Sequence, residues 1–203
     1  MGARNRLSQW VLMETIRLET WIDAPVERCF LLSLNIDLHV VSARSTREQA
    51  IDGVTTGLIG EGQTVTFRAR HLGLWRRHTS RVEVVRPYTY FRDVMIKGVF
   101  HRFEHEHHFA AMNDGTRMRD EVRFAAPWGP LGRRLARRRL VRMLIERSGV
   151  IKRTAESEEW RRYLDASVEI HPAFPIGPPP RRWNPHDLLQ GSAQIPARRS
   201  PYG

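Results

Sequence analysis

Apolar and polar residues alternate along much of this chain, the period-2 signature of strands with one buried face. The clearest run spans Phe100 to Phe109. Phe103, His105, His107 and Phe109 share one face, while Arg102, Glu104, Glu106 and His108 share the other. The second face suits water. The first is apolar yet carries two imidazoles, as a wall facing a ligand does. The following Asn113-Asp-Gly-Thr116 predicts a two-residue hairpin loop at Asp114 and Gly115, because Asp-Gly suits the positive-φ positions of a type I′ turn. That loop opposes Phe109 to Asp120, His107 to Val122 and His105 to Phe124. On the outer face it pairs Glu106 with Arg123 and His108 with Glu121. Asp120 then lies on the inner face, diagonal to His107, where a carboxylate needs a partner.

The same patterns organise the rest. Residues 15–22 read as a strand with Ile16, Leu18, Thr20 and Ile22 on one side. Asp23 as N-cap and Pro25 at an early helical position open a helix with Val26, Phe30 and Leu34 as its buried stripe. A second short helix covers 36–41, and strand signals follow at 43–51, 63–71, 76–85 and 88–96. The glycine-rich stretch 53–62 lacks the lysine and following helix of a phosphate loop and reads as a connection between strands. A long helix follows from Pro130 to Leu164, its stripe formed by Leu131, Leu135, Val141, Leu144, Ile145, Ser148, Ile151 and Ala155. Within the strands, Val65, Phe67, Ala69 and His71 share a face, as do Phe91, Asp93 and Met95. The order is strand, two helices, six antiparallel strands and a C-terminal helix. This predicts an α+β fold in which a curved antiparallel sheet of about seven strands wraps around that helix. One helix cannot fill the concave face, so a cavity is expected between them.

Composition bounds this reading. The chain of 203 residues, 41% apolar, fits one domain over 13–164 with an extension at 1–12, and Met13 is a candidate start. Eight of the twelve prolines lie beyond residue 164, so 165–203 is expected to be a disordered tail. No run has the apolar length of a membrane helix. The single cysteine, Cys29, forms no internal disulfide and is expected to be a packing residue in a reducing, cytoplasmic protein. The net charge is +11, and residues 130–164 hold eleven Lys/Arg against four Glu, or +7 of it. A solvated helix face accounts for this, with weak contact to an anionic membrane through Arg133, Arg134, Arg137, Arg138 and Arg142 as the next reading. Specific nucleic-acid binding is not expected, because no reading module accompanies the charge.

Several segments together resemble the START-like superfamily, also called SRPBCC or helix-grip, near its bacterial polyketide cyclase/dehydrase-like and coenzyme Q-binding-like members. They are Ile22-Asp-Ala-Pro-Val-Glu27, Gly57-Leu-Ile-Gly-Glu-Gly-Gln-Thr-Val-Thr-Phe67 with Ala69-Arg-His71, and Arg86-Pro87 before Phe91-Arg-Asp93. Gly98-Val-Phe100, Phe103 to Phe109, Gly115-Thr116 with Asp120, and Pro127-Trp-Gly-Pro-Leu-Gly132 complete the set, which covers residues 13–160. The resemblance implies the helix-grip fold and an internal site for a sterol, lipid, quinone, hormone or polyketide, with cyclisation in some members. It does not select among these.

The candidate site is Phe67, His71, Phe91, Asp93, Met95, Phe103, His105, His107, Phe109 and Asp120. Three readings stay open for its polar members: structural pairing, recognition of carbonyls or hydroxyls on an apolar molecule, or general-base chemistry by a His–Asp pair. The favoured role is a hydrophobic-ligand carrier, sensor or sequestering protein without a cofactor. The alternative is a cyclase or dehydratase using His107 and Asp120, with His105 or His71 polarising a carbonyl. A third is an interaction module acting through the arginine-rich helix. No metal is expected: His105 and His107 share a strand face, but a third ligand (His71, Asp93 or Asp120) cannot be placed. Trp75, Trp128 and Trp160 read as packing or rim residues.

Overall fold

A computed structural model describes residues 12–71, 74–127 and 129–164. The segments expected to be an extension and a tail, 1–12 and 165–203, lie outside these residues apart from Leu12. Strand β1 (Glu14–Ile22) leads into helices α1 (Val26–Leu34) and α2 (Ile36–Ser42). Six strands follow: β2 (Gln49–Gly53), β3 (Thr64–His71), β4 (Leu74–Arg86), β5 (Tyr90–Lys97), β6 (Arg102–Met112) and β7 (Gly115–Ala125). Helix α3 (Gly129–Ala155) and the short α4 (Arg161–Leu164) complete the described chain. All seven strands form one antiparallel sheet in the order β1-β7-β6-β5-β4-β3-β2, and α3 packs on β1, α1 and α2. This is the helix-grip arrangement that the residue pattern predicts.

The interior divides in two. One apolar group joins Phe30, Leu32, Phe67, Phe91, Phe109 and Met118 with the C-terminal part of α3 at Ile151 and Ala155. Phe30 of α1 meets Phe91 and Phe109 edge-on, with ring centroids 5.7 and 5.3 Å away. The second group is smaller: Ile16, Phe103, Val122 and Phe124 under Leu140 and Leu144 of α3. Several of its neighbours, including Leu18, Met95, Phe100 and Met143, are only partly buried.

Five expectations are corrected. First, the β6–β7 register is shifted by two: His107 faces Asp120, His105 faces Val122, and Met112 faces Gly115. Asn113 takes the left-handed turn position at φ 46°, so the loop is Asn113-Asp114. Gly115 serves the approach of β1 instead, since a Cβ there would lie 2.6 Å from the Ile22 carbonyl oxygen. A shift of two keeps every face assignment, but Glu106 now opposes Glu121, and Arg123 reaches both carboxylates.

Second, the long helix ends at Ala155. Ser157 is extended and its hydroxyl accepts from the Glu159 amide, capping a new turn at Glu158–Trp160. Third, Leu131, Leu135 and Ile145 are exposed, while Leu140 and Thr154 join the buried face. At about 100° per residue, Leu131 and Leu135 sit roughly 180° and 140° around the helix from Leu140. Their spacing belongs to a different face. Fourth, Asp23 is not a cap: Pro25 occupies that position without a side-chain bond, and the Asp23 amide donates to Glu156. Fifth, of the strand expected over 43–51, only its end is extended; Arg44–Thr46 form a 3-10 turn.

Candidate functional site

Alternation on three neighbouring strands brings four ionisable side chains to one point. Asp93 faces His105 across the β5–β6 pairing, and His107 faces Phe91 on one side and Asp120 on the other. His105 Nε2 lies 3.0 Å from Asp120 Oδ1, and His107 Nδ1 lies 2.9 Å from the same oxygen. The second nitrogens of both rings turn to Asp93: His107 Nε2 is 3.3 Å and His105 Nδ1 3.9 Å from its Oδ2. The two imidazoles are 3.8 Å apart, and Phe91 stacks on His107 at 3.9 Å. His105, His107 and Asp120 are buried, whereas 19% of the Asp93 side chain reaches solvent.

Two carboxylates survive burial here because each has cationic or donating neighbours. Burial alone would raise the Asp93 carboxyl. Its bond to His107 and the charges of His105, His107 and Arg147 outweigh that and bring it down to about 2. Asp120 is pulled in the same direction, well below the usual carboxylate range, by both histidines acting against its burial. Burial, reinforced by the neighbouring His107, pushes His105 down to about 4, so its ring is neutral near pH 7. Ser148 of α3 adds a long hydroxyl contact to Asp120, at 3.5 Å.

Helix α3 supplies the residue that the strand pattern misses. Arg147 donates to the Ser33 carbonyl, 2.9 Å away, and its other terminal nitrogen lies 2.9 Å from His39 Nδ1. An arginine only donates, so His39 accepts at Nδ1 and carries its hydrogen on Nε2, which meets Glu48 at 2.7 Å. His39 also stacks on Phe67. A chain of polar groups therefore crosses the interior from Glu48 through His39 and Arg147 toward Asp93. Arg147 lies between Leu144, Ser148 and Ile151 on the buried face of α3, and that position in an apolar stripe is its signal.

Of the remaining site residues, Phe67, Phe91 and Phe109 pack in the first apolar group, and Phe103 and Met95 belong to the second. His71 ends β3 opposite Leu74, and its side chain lies outside the described residues, as does Trp128. Trp75 is half exposed beneath the Arg68 guanidinium, and Trp160 packs under Arg28. Cys29 is fully buried with Sγ 3.9 Å from the Ala24 carbonyl oxygen. Of the five helix arginines, Arg133 and Arg137 pair with Glu14 on β1, while Arg134, Arg138 and Arg142 line a shallow surface cleft beside Val141.

No family model matches the chain, and no curated protein matches it. Solved structures do. The Zhui aromatase/cyclase from Streptomyces sp. R1128 superposes with a TM-score of 0.60 at 12% identity, over 77% of this chain and all of that one. The di-domain ARO/CYC StfQ of the steffimycin biosynthetic pathway gives 0.59 at 12% identity, over 73% of this chain and 52% of that one. TTHA0849 from Thermus thermophilus gives 0.52 at 20% identity, over 76% and 99%. This chain thus has the helix-grip fold of these structures. Among the described residues no helix is long and apolar enough to cross a membrane.

Proposed function

We infer that this protein binds an apolar small molecule carrying a carbonyl or hydroxyl group, and acts as its carrier, sensor or sequestering protein. One observation supports this above others: a belt of two buried histidines, the buried Asp120 and the partly exposed Asp93 lies between two apolar groups, and the second group is incompletely covered. Phe103, Met95 and Phe100 beside Leu140 and Leu144 of α3 offer apolar walls, and the imidazole nitrogens turned away from Asp120 offer polar groups at their base. The test is native mass spectrometry of the protein purified from its own host, followed by extraction. A stoichiometric organic molecule, lost in Phe103→Ala, supports the reading. Chain free of any organic molecule, together with no binding of quinones, fatty acids or polyketides in vitro, would refute it.

Two further readings have specific support. His107 beside Asp120 is a His–Asp pair in a water-poor site, and such a pair can abstract a proton α to a carbonyl. A cyclase or dehydratase would lose turnover by orders of magnitude in His107→Ala, whereas a pure binder would lose modest affinity. The outer face of α3 sets Leu131 and Ile145, 79% and 56% exposed, among Arg134, Arg138 and Arg142. Apolar side chains ringed by arginines suit an anionic lipid surface, from which a lipid-like ligand could be drawn.

A further inference from the structure

We propose that Asp93, His105 and His107 form a binding site for a divalent transition-metal ion of the zinc type. The argument starts from hydrogen counting. Asp120 Oδ1 lies within 3.0 Å of one nitrogen on each ring, His105 Nε2 and His107 Nδ1. A carboxylate oxygen only accepts, so both of those nitrogens carry hydrogens. In neutral rings the other two nitrogens, His105 Nδ1 and His107 Nε2, then present lone pairs. Both face Asp93 Oδ2, itself an acceptor, and the three ligand atoms lie within 4.8 Å of one another. Three lone pairs meeting at one point call for a positive charge between them: either one extra proton or a metal ion.

The arrangement favours the ion on two counts. Four ligands at about 2.0–2.1 Å around zinc place neighbouring ligand atoms roughly 3.3 Å apart. His107 Nε2 and Asp93 Oδ2 already stand at 3.3 Å; His105 Nδ1, 3.9 Å from the same oxygen in a set of ligand atoms that lie within 4.8 Å of one another, closes it by turning inward. Second, metal-bound histidines commonly give their other N–H to a carboxylate, which fixes the tautomer and raises ligand basicity. Asp120 does this for both rings at once. The partly exposed Asp93 is the open side, where a fourth ligand, water or the oxygen of a bound small molecule, completes the shell. That last role rests on the ligand-binding reading above; the ion itself does not. Arg147, whose charge also acts on Asp93, opposes a cation and moderates the affinity.

The experiment titrates the full-length protein, freed of metal by chelator, with Zn²⁺ alone and with Co²⁺ alone. It follows heat, visible absorption and the ¹⁵N resonances of the imidazoles. One equivalent should bind, give Co²⁺ ligand-field bands of low coordination number, and shift the ¹⁵N signals of His105 Nδ1 and His107 Nε2. Asp93→Asn should weaken binding at least about 100-fold, and Asp120→Asn about 10–100-fold, the usual cost of losing such an outer partner. If either variant fails to fold, the wild-type ¹⁵N pattern decides alone. Zinc in excess that leaves both rings unshifted, or that coordinates other histidines, overturns the proposal. So does a His107 that keeps hydrogens on both nitrogens throughout, since a proton then fills the site. Metal content and bound organic molecules are read separately, so this proposal and the ligand-binding reading can fail independently.

Discussion

His107 faces Asp120 directly across the β6–β7 ladder, its Nδ1 2.9 Å from an oxygen that also lies 3.0 Å from His105 Nε2. One buried carboxylate oxygen thus holds two rings. Removing the Asp120 carboxylate takes this partner from both rings, and its second oxygen from the Ser148 hydroxyl. Asp120→Ala is expected to cost about 3–5 kcal/mol in urea unfolding, the range for breaking a buried ionic pair from one side. Ser148→Ala, which loses only a long hydroxyl contact, should cost about 1 kcal/mol or less. Comparable costs for the two would show that Asp120 does not organise the histidines.

Cys29 is expected to be chemically silent. Its thiol is fully buried in α1, and burial pushes its pKa up to about 11, so at pH 8 almost none is thiolate. Only the thiolate reacts readily. Iodoacetamide at pH 8 should therefore leave the native protein unlabelled for hours and modify one thiol rapidly in denaturant. Fast labelling of the native state would indicate either an open α1 or a reactive site.

The outer face makes a separate, pH-dependent contribution. Glu121 opposes Glu106 and is held below its usual carboxylate pKa, chiefly by its hydrogen bond to Arg17, with Arg123 assisting against burial. The unfolded chain therefore takes up this proton before the folded one does. The stabilisation is complete above the ordinary value of 4.5 and disappears as pH falls through the lower folded value. Glu121→Gln should melt below wild type at pH 7, with the gap closing toward pH 3 in a thermal series. The gap should also be small, because the arginine partners are largely exposed and screened. A difference that is constant across pH would assign the effect to shape rather than charge.

Gly115 is a steric requirement that the turn motif disguises. Asp-Gly reads as a type I′ loop, but Asn113 takes the left-handed position, and Gly115 already faces Met112 within the ladder. A Cβ at 115 would lie 2.6 Å from the Ile22 carbonyl oxygen and 3.0 Å from the Trp21 ring. Gly115→Ala should destabilise by about 1–3 kcal/mol, the cost of overpacking. Asn113→Gly should be tolerated or slightly stabilising, since glycine accepts φ 46° without strain. Differential scanning calorimetry on the two variants separates the readings, because a loop at 114–115 predicts the reverse order.

The strand faces are legible because alternation is a local property: which residues look inward follows from counting by two, whatever the register. Phe103, His105, His107, Phe109 and Asp120 all fall on the inner side by that count alone. Which inward residues touch depends on the turn, and there two overlapping pairs with similar turn chemistry, Asn113-Asp114 and Asp114-Gly115, leave the choice open. Arg147 and His39 escape the pattern for a different reason. Both come from helices, and their approach to the sheet depends on how the helices dock, which no single element records. Helical periodicity alone also merges two faces of α3, since Leu131 and Leu135 fit an i, i+4 pattern without being in phase with Leu140 and Leu144.

That phase difference gives the sharpest test of how α3 sits. Leu144 is 1% exposed and packs with Phe103, Val122 and Phe124 over the sheet, whereas Leu131 is 79% exposed. Truncating the first removes buried methyl groups and leaves a cavity, so Leu144→Ala should cost about 2–5 kcal/mol. Truncating the second removes little contact and substitutes a better helix former, so Leu131→Ala should change stability by less than about 0.5 kcal/mol. If α3 instead seats its N-terminal half on the sheet, as a single apolar stripe would require, the two costs converge. If the exposed leucine serves a lipid surface, Leu131→Ala still leaves stability unchanged but weakens sedimentation with vesicles containing phosphatidylglycerol. Chemical denaturation and vesicle co-sedimentation on the same pair of variants therefore separate a packing role for this face of α3 from a docking role.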